Sequence, residues 1–135
     1  MYVTSIMTYN PVTIGPGESV KSATIKMRTN DIGSLVVMEN GKIAGIITER
    51  DIVNCVAFSE KKATDVLVED VMSKVVVTVD SQTSIEKAAD LMLKRHIKKL
   101  PIVDDGQLTG IVTEKDLMMV VRMLHNIPEV IQKQS

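Results

Sequence analysis

Gly45-Ile46-Ile47-Thr48-Glu49-Arg50-Asp51 and Gly110-Ile111-Val112-Thr113-Glu114-Lys115-Asp116 are two copies of one pattern: glycine, two aliphatics, threonine, two charged residues and aspartate. They stand 65 positions apart. The same offset, carried outward, lays residues 5–53 on residues 70–118 without a gap. Fourteen of those forty-nine pairs are identical, among them Met7/Met72, Thr13/Thr78, Ala23/Ala88 and Gly41/Gly106, so the match is an internal repeat rather than a shared motif. A repeat of this length is one supersecondary unit used twice, each copy burying an apolar face that it could not bury alone. A pocket built by one copy is therefore expected twice, about a pseudo-two-fold axis.

Upstream of each motif the sequence reads as a hairpin. Leu35-Val36-Val37-Met38 and Ile43 to Ile47 flank Asn40-Gly41, and Leu100-Pro101-Ile102-Val103 and Leu108 to Val112 flank Asp105-Gly106. Asn-Gly and Asp-Gly between β-rich runs favour a two-residue turn, because both positions need positive φ. Further upstream, Ser19 precedes apolar residues at Val20, Ala23 and Met27, and Ser84 precedes Ile85, Ala88 and Met92, the spacing of amphipathic helices with serine caps. Thr83 and Glu86 have the spacing of a capping box. Short strands are expected at Val12-Thr13-Ile14 and Val75 to Val79, and second helices after Thr48 and Thr113. Each unit thus reads β-α-β-β-α, a mixed α+β fold. The expected division is a first unit at 1–58, a linker at 59–67, a second unit with a C-terminal helix at 68–128, and a fraying tail at 129–135.

Composition limits the function. A chain of 135 residues with net charge −1 lacks the basic surface that sequence-independent nucleic-acid binding requires. Tyr2, Tyr9 and Phe58 are the only aromatics, too few for a base-stacking platform. Cys55 is alone, so no internal disulfide forms, and a reducing, cytoplasmic setting is expected. No apolar run approaches the roughly 20 residues of a membrane span. His96, His125 and Cys55 are too scattered for a zinc site, so no metal is expected. No nucleophile sits beside a recognisable base, so no catalytic residue is assigned.

The Thr-x-x-Asp closing each motif has two readings. Where a strand ends and a helix begins, unpaired N–H groups suit oxygen-rich ligands, the threonine hydroxyl can donate to a phosphate or sugar oxygen, and the aspartate can accept both hydroxyls of a ribose. The same pattern is also a common helix start, with threonine as cap and aspartate favouring the dipole. Duplication does not choose between them.

The repeat as a whole, with Met7-Thr8 opening a unit as x-h-M-[ST], the Asn-Gly or Asp-Gly hairpin and the Gly-h-h-Thr-x-x-Asp close, resembles the cystathionine-beta-synthase (CBS) domain. A tandem pair of these forms a Bateman module, and the resemblance covers about residues 3–122. It implies two units packed through their sheets, with two clefts for adenosine-containing ligands, either adenine nucleotides or an adenosyl compound such as S-adenosylmethionine. No further cofactor is required. Carried over, one cleft takes Asp51 and Thr48 with Thr8, Val12, Thr13, Ser34, Leu35 and Ile46. The other takes Asp116 and Thr113 with Ser73, Val77, Thr78, Lys99, Leu100 and Ile111.

Entering the second strand the copies differ, Gly33-Ser34 against Lys98-Lys99. The resemblance implies that Lys98 and Lys99 meet phosphates in the Asp51 cleft, whereas Gly33 and Ser34 bring no charge to the Asp116 cleft. The plainer reading is a solvated basic patch at a helix C-terminus. The resemblance further implies a stand-alone, non-catalytic regulatory module, pairing as a homodimer through exposed helices such as the Val120 to Leu124 stretch, and acting on a client enzyme or transporter. A ligand-independent dimerisation scaffold is the alternative.

Overall fold

The computed structural model of the chain describes residues 1–125. The expected end of the second unit at 128 and the tail at 129–135 lie outside the described residues. The strands are β1 (Thr8–Tyr9), β2 (Thr13–Ile14), β3 (Ser34–Glu39), β4 (Lys42–Thr48), β5 (Lys99–Asp104) and β6 (Gln107–Thr113). The helices are α1 (Val20–Asn30), α2 (Glu49–Phe58), α3 (Val68–Val71), α4 (Ile85–Arg95) and α5 (Glu114–His125), with a 3-10 turn at Val3–Ser5. Two three-stranded sheets form, ordered β2-β3-β4 and β1-β6-β5.

Both expected hairpins are present. Asn40 and Gly41 have φ of 52° and 76°, and Asp105 and Gly106 have 49° and 76°, which matches the twist of the flanking strands. Ser19 and Ser84 cap α1 and α4 by accepting from the backbone N–H of Ser22 and of Lys87, each at 3.0 Å. The Thr83–Glu86 capping box does not form. The cap falls on Ser84, and Thr83 Oγ1 turns to donate to Asp80 Oδ1 at 3.3 Å. Of the two strands expected ahead of the helices, β2 pairs in parallel with β3. Its counterpart shrinks to a single bridge from Val79 to Ile102. Pro101 contributes to the difference: it stands where β3 has Val36, and it has no N–H to donate.

Contacts divide the chain into two compact units, and the division does not follow the repeat. One unit is Asn10–Val77 together with Asp105–Leu108; the other is Met1–Tyr9, Thr78–Asp104 and the chain from Thr109 onward. Each unit has the body of one repeat and the opening segment of the other. In the first, Ile14, Ala23, Met27, Leu35, Val37 and Ile47 form the core, and Val68, with no exposed surface, closes it beside Val71 and Met72. In the second, Val3 is fully buried and Met7 nearly so.

Segments 1–9 and 59–67 also satisfy helix ends. The first N–H groups of a helix have no partner within it. Those of Val20 and Lys21 donate to the carbonyls of Val66 and Ala63 at 2.8 and 3.0 Å, and that of Ile85 donates to Met1 at 3.1 Å. The stretch 59–67 is therefore a packed part of its unit rather than a bare linker, with Val66 buried against Val20 and Cys55.

Candidate functional site

The two Thr-x-x-Asp segments fold alike. Asp51 Oδ2 accepts from the Thr48 backbone N–H at 2.8 Å and from Thr48 Oγ1 at 3.0 Å, and Thr48 Oγ1 accepts from the Asp51 N–H at 3.3 Å. Asp116 and Thr113 repeat these bonds at the same three distances. Each pair is a reciprocal capping box at the start of α2 or α5. The arrangement corrects one expectation: the threonine proton is already given to the aspartate, so the hydroxyl is not the donor toward a ligand. The free capacity is on the other carboxylate oxygen. Among the described residues, neither Asp51 Oδ1 nor Asp116 Oδ1 receives a hydrogen bond.

The glycine opening each motif is a socket. A Cβ on Gly45 would lie 2.6 Å from Met72 Sδ and 2.6 Å from the Ser73 carbonyl oxygen; on Gly110 it would lie 2.7 Å from Met7 Sδ and 3.0 Å from the Thr8 carbonyl oxygen. Backbone pairing holds the same contact: Ile46 and Ser73 exchange two hydrogen bonds, at 3.0 and 2.9 Å, and Thr8 aligns with Ile111. The expected grouping set Thr8 with Asp51 and Ser73 with Asp116. The sockets place each beside the other motif, because Met72 enters Gly45 and Met7 enters Gly110.

The remaining site residues divide as follows. In the unit carrying Asp51, Ser34 pairs with Thr48 in the sheet, and Thr13 and Ile46 are the partners of Val36. Val12 packs against the core, and Leu35 is 1% exposed within it, so Leu35 supports the sheet and offers a ligand no surface. Leu100, fully buried, does the same in the other unit. That unit also has Thr78, Lys98, Lys99, Ile111 and Thr113 with Asp116, whereas Ser73, Val77, Gly33 and Ser34 belong with Asp51. The carbonyl oxygens of Gly33 and Lys98 occupy matching places, accepting from the first N–H of α2 and α5 at 3.0 and 2.8 Å. The Lys98 side chain is exposed there and Lys99 is half-buried.

Asp51 lines a groove of about 730 Å³ along α2, with Asn54, Phe58, Asp70 and Val71 among its walls. Asn54 and Asp70 were not expected beside the motif. Asn54 was detectable, since three residues beyond Asp51 is the same helix face. Asp70 was not, because it comes from the other repeat. Among the described residues no group of three or more His, Cys, Asp or Glu could hold a metal ion, and no helix is long and apolar enough to cross a membrane.

The family model for the CBS domain matches residues 3–57 and 68–123, and the chain belongs to the CBS domain family as a tandem pair. It is 41% identical over 111 residues to the uncharacterized protein MK0525 of Methanopyrus kandleri, covering 81% of this chain and 57% of that one. It is 40% identical over 115 residues to the inosine-5'-monophosphate dehydrogenase of Nitrosopumilus maritimus, covering 84% of this chain but 23% of the enzyme. The chain therefore spans less than two thirds of either relative. Among solved structures it resembles the CBS domain pair of protein MJ0100 in complex with 5'-methylthioadenosine and S-adenosyl-L-methionine. The TM-score is 0.82 at 28% identity, over 90% of this chain and 99% of that one.

Proposed function

We propose that this CBS pair is a non-catalytic regulatory module that binds an adenine nucleotide (AMP, ADP or ATP) or a related adenosyl compound, and works in the cytoplasm. Asp51 and Asp116 hold the ribose of the ligand. The observation carrying this reading is the division of labour within each carboxylate: Oδ2 is spent on the cap and Oδ1 is left to accept at a helix start. The ligands of the MJ0100 pair, both adenosyl compounds, support the class. Ser73 joins the Asp51 site and Thr8 the Asp116 site. Lys98 and Lys99 supply charge for phosphates, against neutral Gly33 and Ser34. Ligand binding favours one conformation over another by its difference in affinity, and a client enzyme or transporter reads the change.

Calorimetry of the whole chain with adenosine, AMP, ADP, ATP and S-adenosylmethionine tests this. Binding of one or more, weakened by Asp51→Ala or Asp116→Ala by about 1.5–3 kcal/mol, is the expected result for a lost charged hydrogen bond. Replacing Lys98 and Lys99 with Met should then abolish any preference for AMP over adenosine. Silence with every ligand would favour the scaffold alternative, in which both aspartates are caps only.

A further inference from the structure

We propose that the groove beside Asp51 selects an adenosyl compound with a cationic centre and an amino-acid tail over one with a phosphate, an inference that rests on the reading of Asp51 as the ribose acceptor. The groove, about 730 Å³, is lined by Asn54, Phe58, Lys61 and Asp70 as well as Asp51. All five belong to one compact unit. Among the described residues, the side chains of Asn54, Lys61 and Asp70 make no hydrogen bond or ion pair, so each is available to a ligand. The Lys61 backbone N–H donates to Ser59 Oγ at 3.1 Å, which shapes the turn that brings Lys61 to the groove. Phe58, one of three aromatics in the chain, is 85% exposed.

Charge chooses the ligand. A phosphate monoester brings close to two negative charges to walls that hold two carboxylates and one ammonium, and like charges at close quarters disfavour it. An amino-acid tail brings an ammonium for Asp70 and a carboxylate for Lys61, each a charge-assisted hydrogen bond. A sulfonium near Phe58 gains from the negative face of the ring. Phe58 lies seven residues beyond Asp51, about 10 Å along the helix, so these groups are spread over the length of such a tail rather than gathered about one phosphate. The other repeat lacks the set. By the same offset of 65 positions, Asp70 stands where it has Ser5, Asn54 where it has Met119, and Phe58 where it has Met123. The selectivity therefore belongs to the Asp51 side and not to the repeat.

Four compounds separate the contributions. Calorimetry on Asp116→Ala, which leaves the Asp51 site intact, is run with S-adenosylmethionine, S-adenosylhomocysteine (the same tail without the sulfonium), 5'-methylthioadenosine (neither) and AMP. S-adenosylmethionine is expected to bind tightest, at least tenfold above 5'-methylthioadenosine, with S-adenosylhomocysteine between them and AMP weakest. Lys61→Met and Asp70→Asn should each weaken both tailed compounds about threefold to tenfold, and Phe58→Leu should weaken S-adenosylmethionine more than S-adenosylhomocysteine. The same three substitutions in the unmodified chain guard against damage from Asp116→Ala. AMP binding as tightly as S-adenosylmethionine overturns the proposal. Equal losses for 5'-methylthioadenosine overturn it too, since the groove would then hold the base. Both results leave Asp51 as the ribose acceptor. Silence with all four compounds, in the unmodified chain as well, overturns that reading and the proposal with it.

Discussion

Asp51 caps α2 with one carboxylate oxygen, and single substitutions separate that job from the proposed one of holding a ligand. Asparagine in its place can still accept from the Thr48 N–H, so Asp51→Asn should cost less than about 1 kcal/mol of stability, while Asp51→Ala removes half the capping box and should cost about 1 kcal/mol or somewhat more. Both should lose ligand affinity. Thermal melts beside calorimetry check this, and equal affinity per folded molecule in all three proteins would leave Asp51 a cap alone. At Gly45 the demand is steric. A methyl there would meet a backbone carbonyl at 2.6 Å, whereas on Gly110 the nearest carbonyl is 3.0 Å away. The methionine sulfurs can move aside and the carbonyls cannot. Gly45→Ala should therefore destabilise by about 1–3 kcal/mol and Gly110→Ala by less, read from urea midpoints.

The elements are tied by polar side chains whose value depends on pH. At the end of β5, Asp104 Oδ1 accepts from the Ser81 N–H and Oγ, both at 2.9 Å, and Oδ2 accepts from Thr109 Oγ1 at 2.9 Å. The Ser81 backbone bond first, then the Thr109 and Ser81 hydroxyls, hold its carboxyl below the ordinary range. A group with a lowered folded pKa contributes stability above its unfolded pKa, about 3.9, and loses it as pH falls through the folded value. Asp104→Asn should thus be less stable than the parent at neutral pH, with the gap closing below about pH 4. Melts across pH 2.5–7 give the comparison, and a gap constant over that range would remove Asp104 from the account.

For the whole molecule, exchange of opening segments predicts that a sequence repeat does not fold on its own. A fragment of residues 1–67 keeps the first repeat and stretch 59–67 but lacks Val68, Val71 and Met72. A fully buried side chain of this kind contributes about 1.5–3 kcal/mol, and domains have only about 5–15 kcal/mol in total. Fragment 1–67 should show no cooperative melt by circular dichroism, while fragment 10–77, which keeps its borrowed segment, should melt cooperatively. The opposite order would mean that the exchange is incidental to stability.

Much of this chain is local physics, and that part was legible in its residues. The Asn40-Gly41 and Asp105-Gly106 turns, the serine caps and the helix periodicity depend on residues a few positions apart, so composition and spacing determined them. Repetition determined the two mixed α+β units and the paired Thr-x-x-Asp motifs, and the family followed from the same residues. What only the tertiary structure decided lies between residues far apart in the chain. Met72 in the Gly45 socket, Thr8 beside Ile111, and Leu35 withdrawn into the core are set by packing density and by which buried N–H groups need carbonyls. Two nearly identical openings offer nearly identical chemistry to either motif, so local sequence could not say which one each glycine would receive.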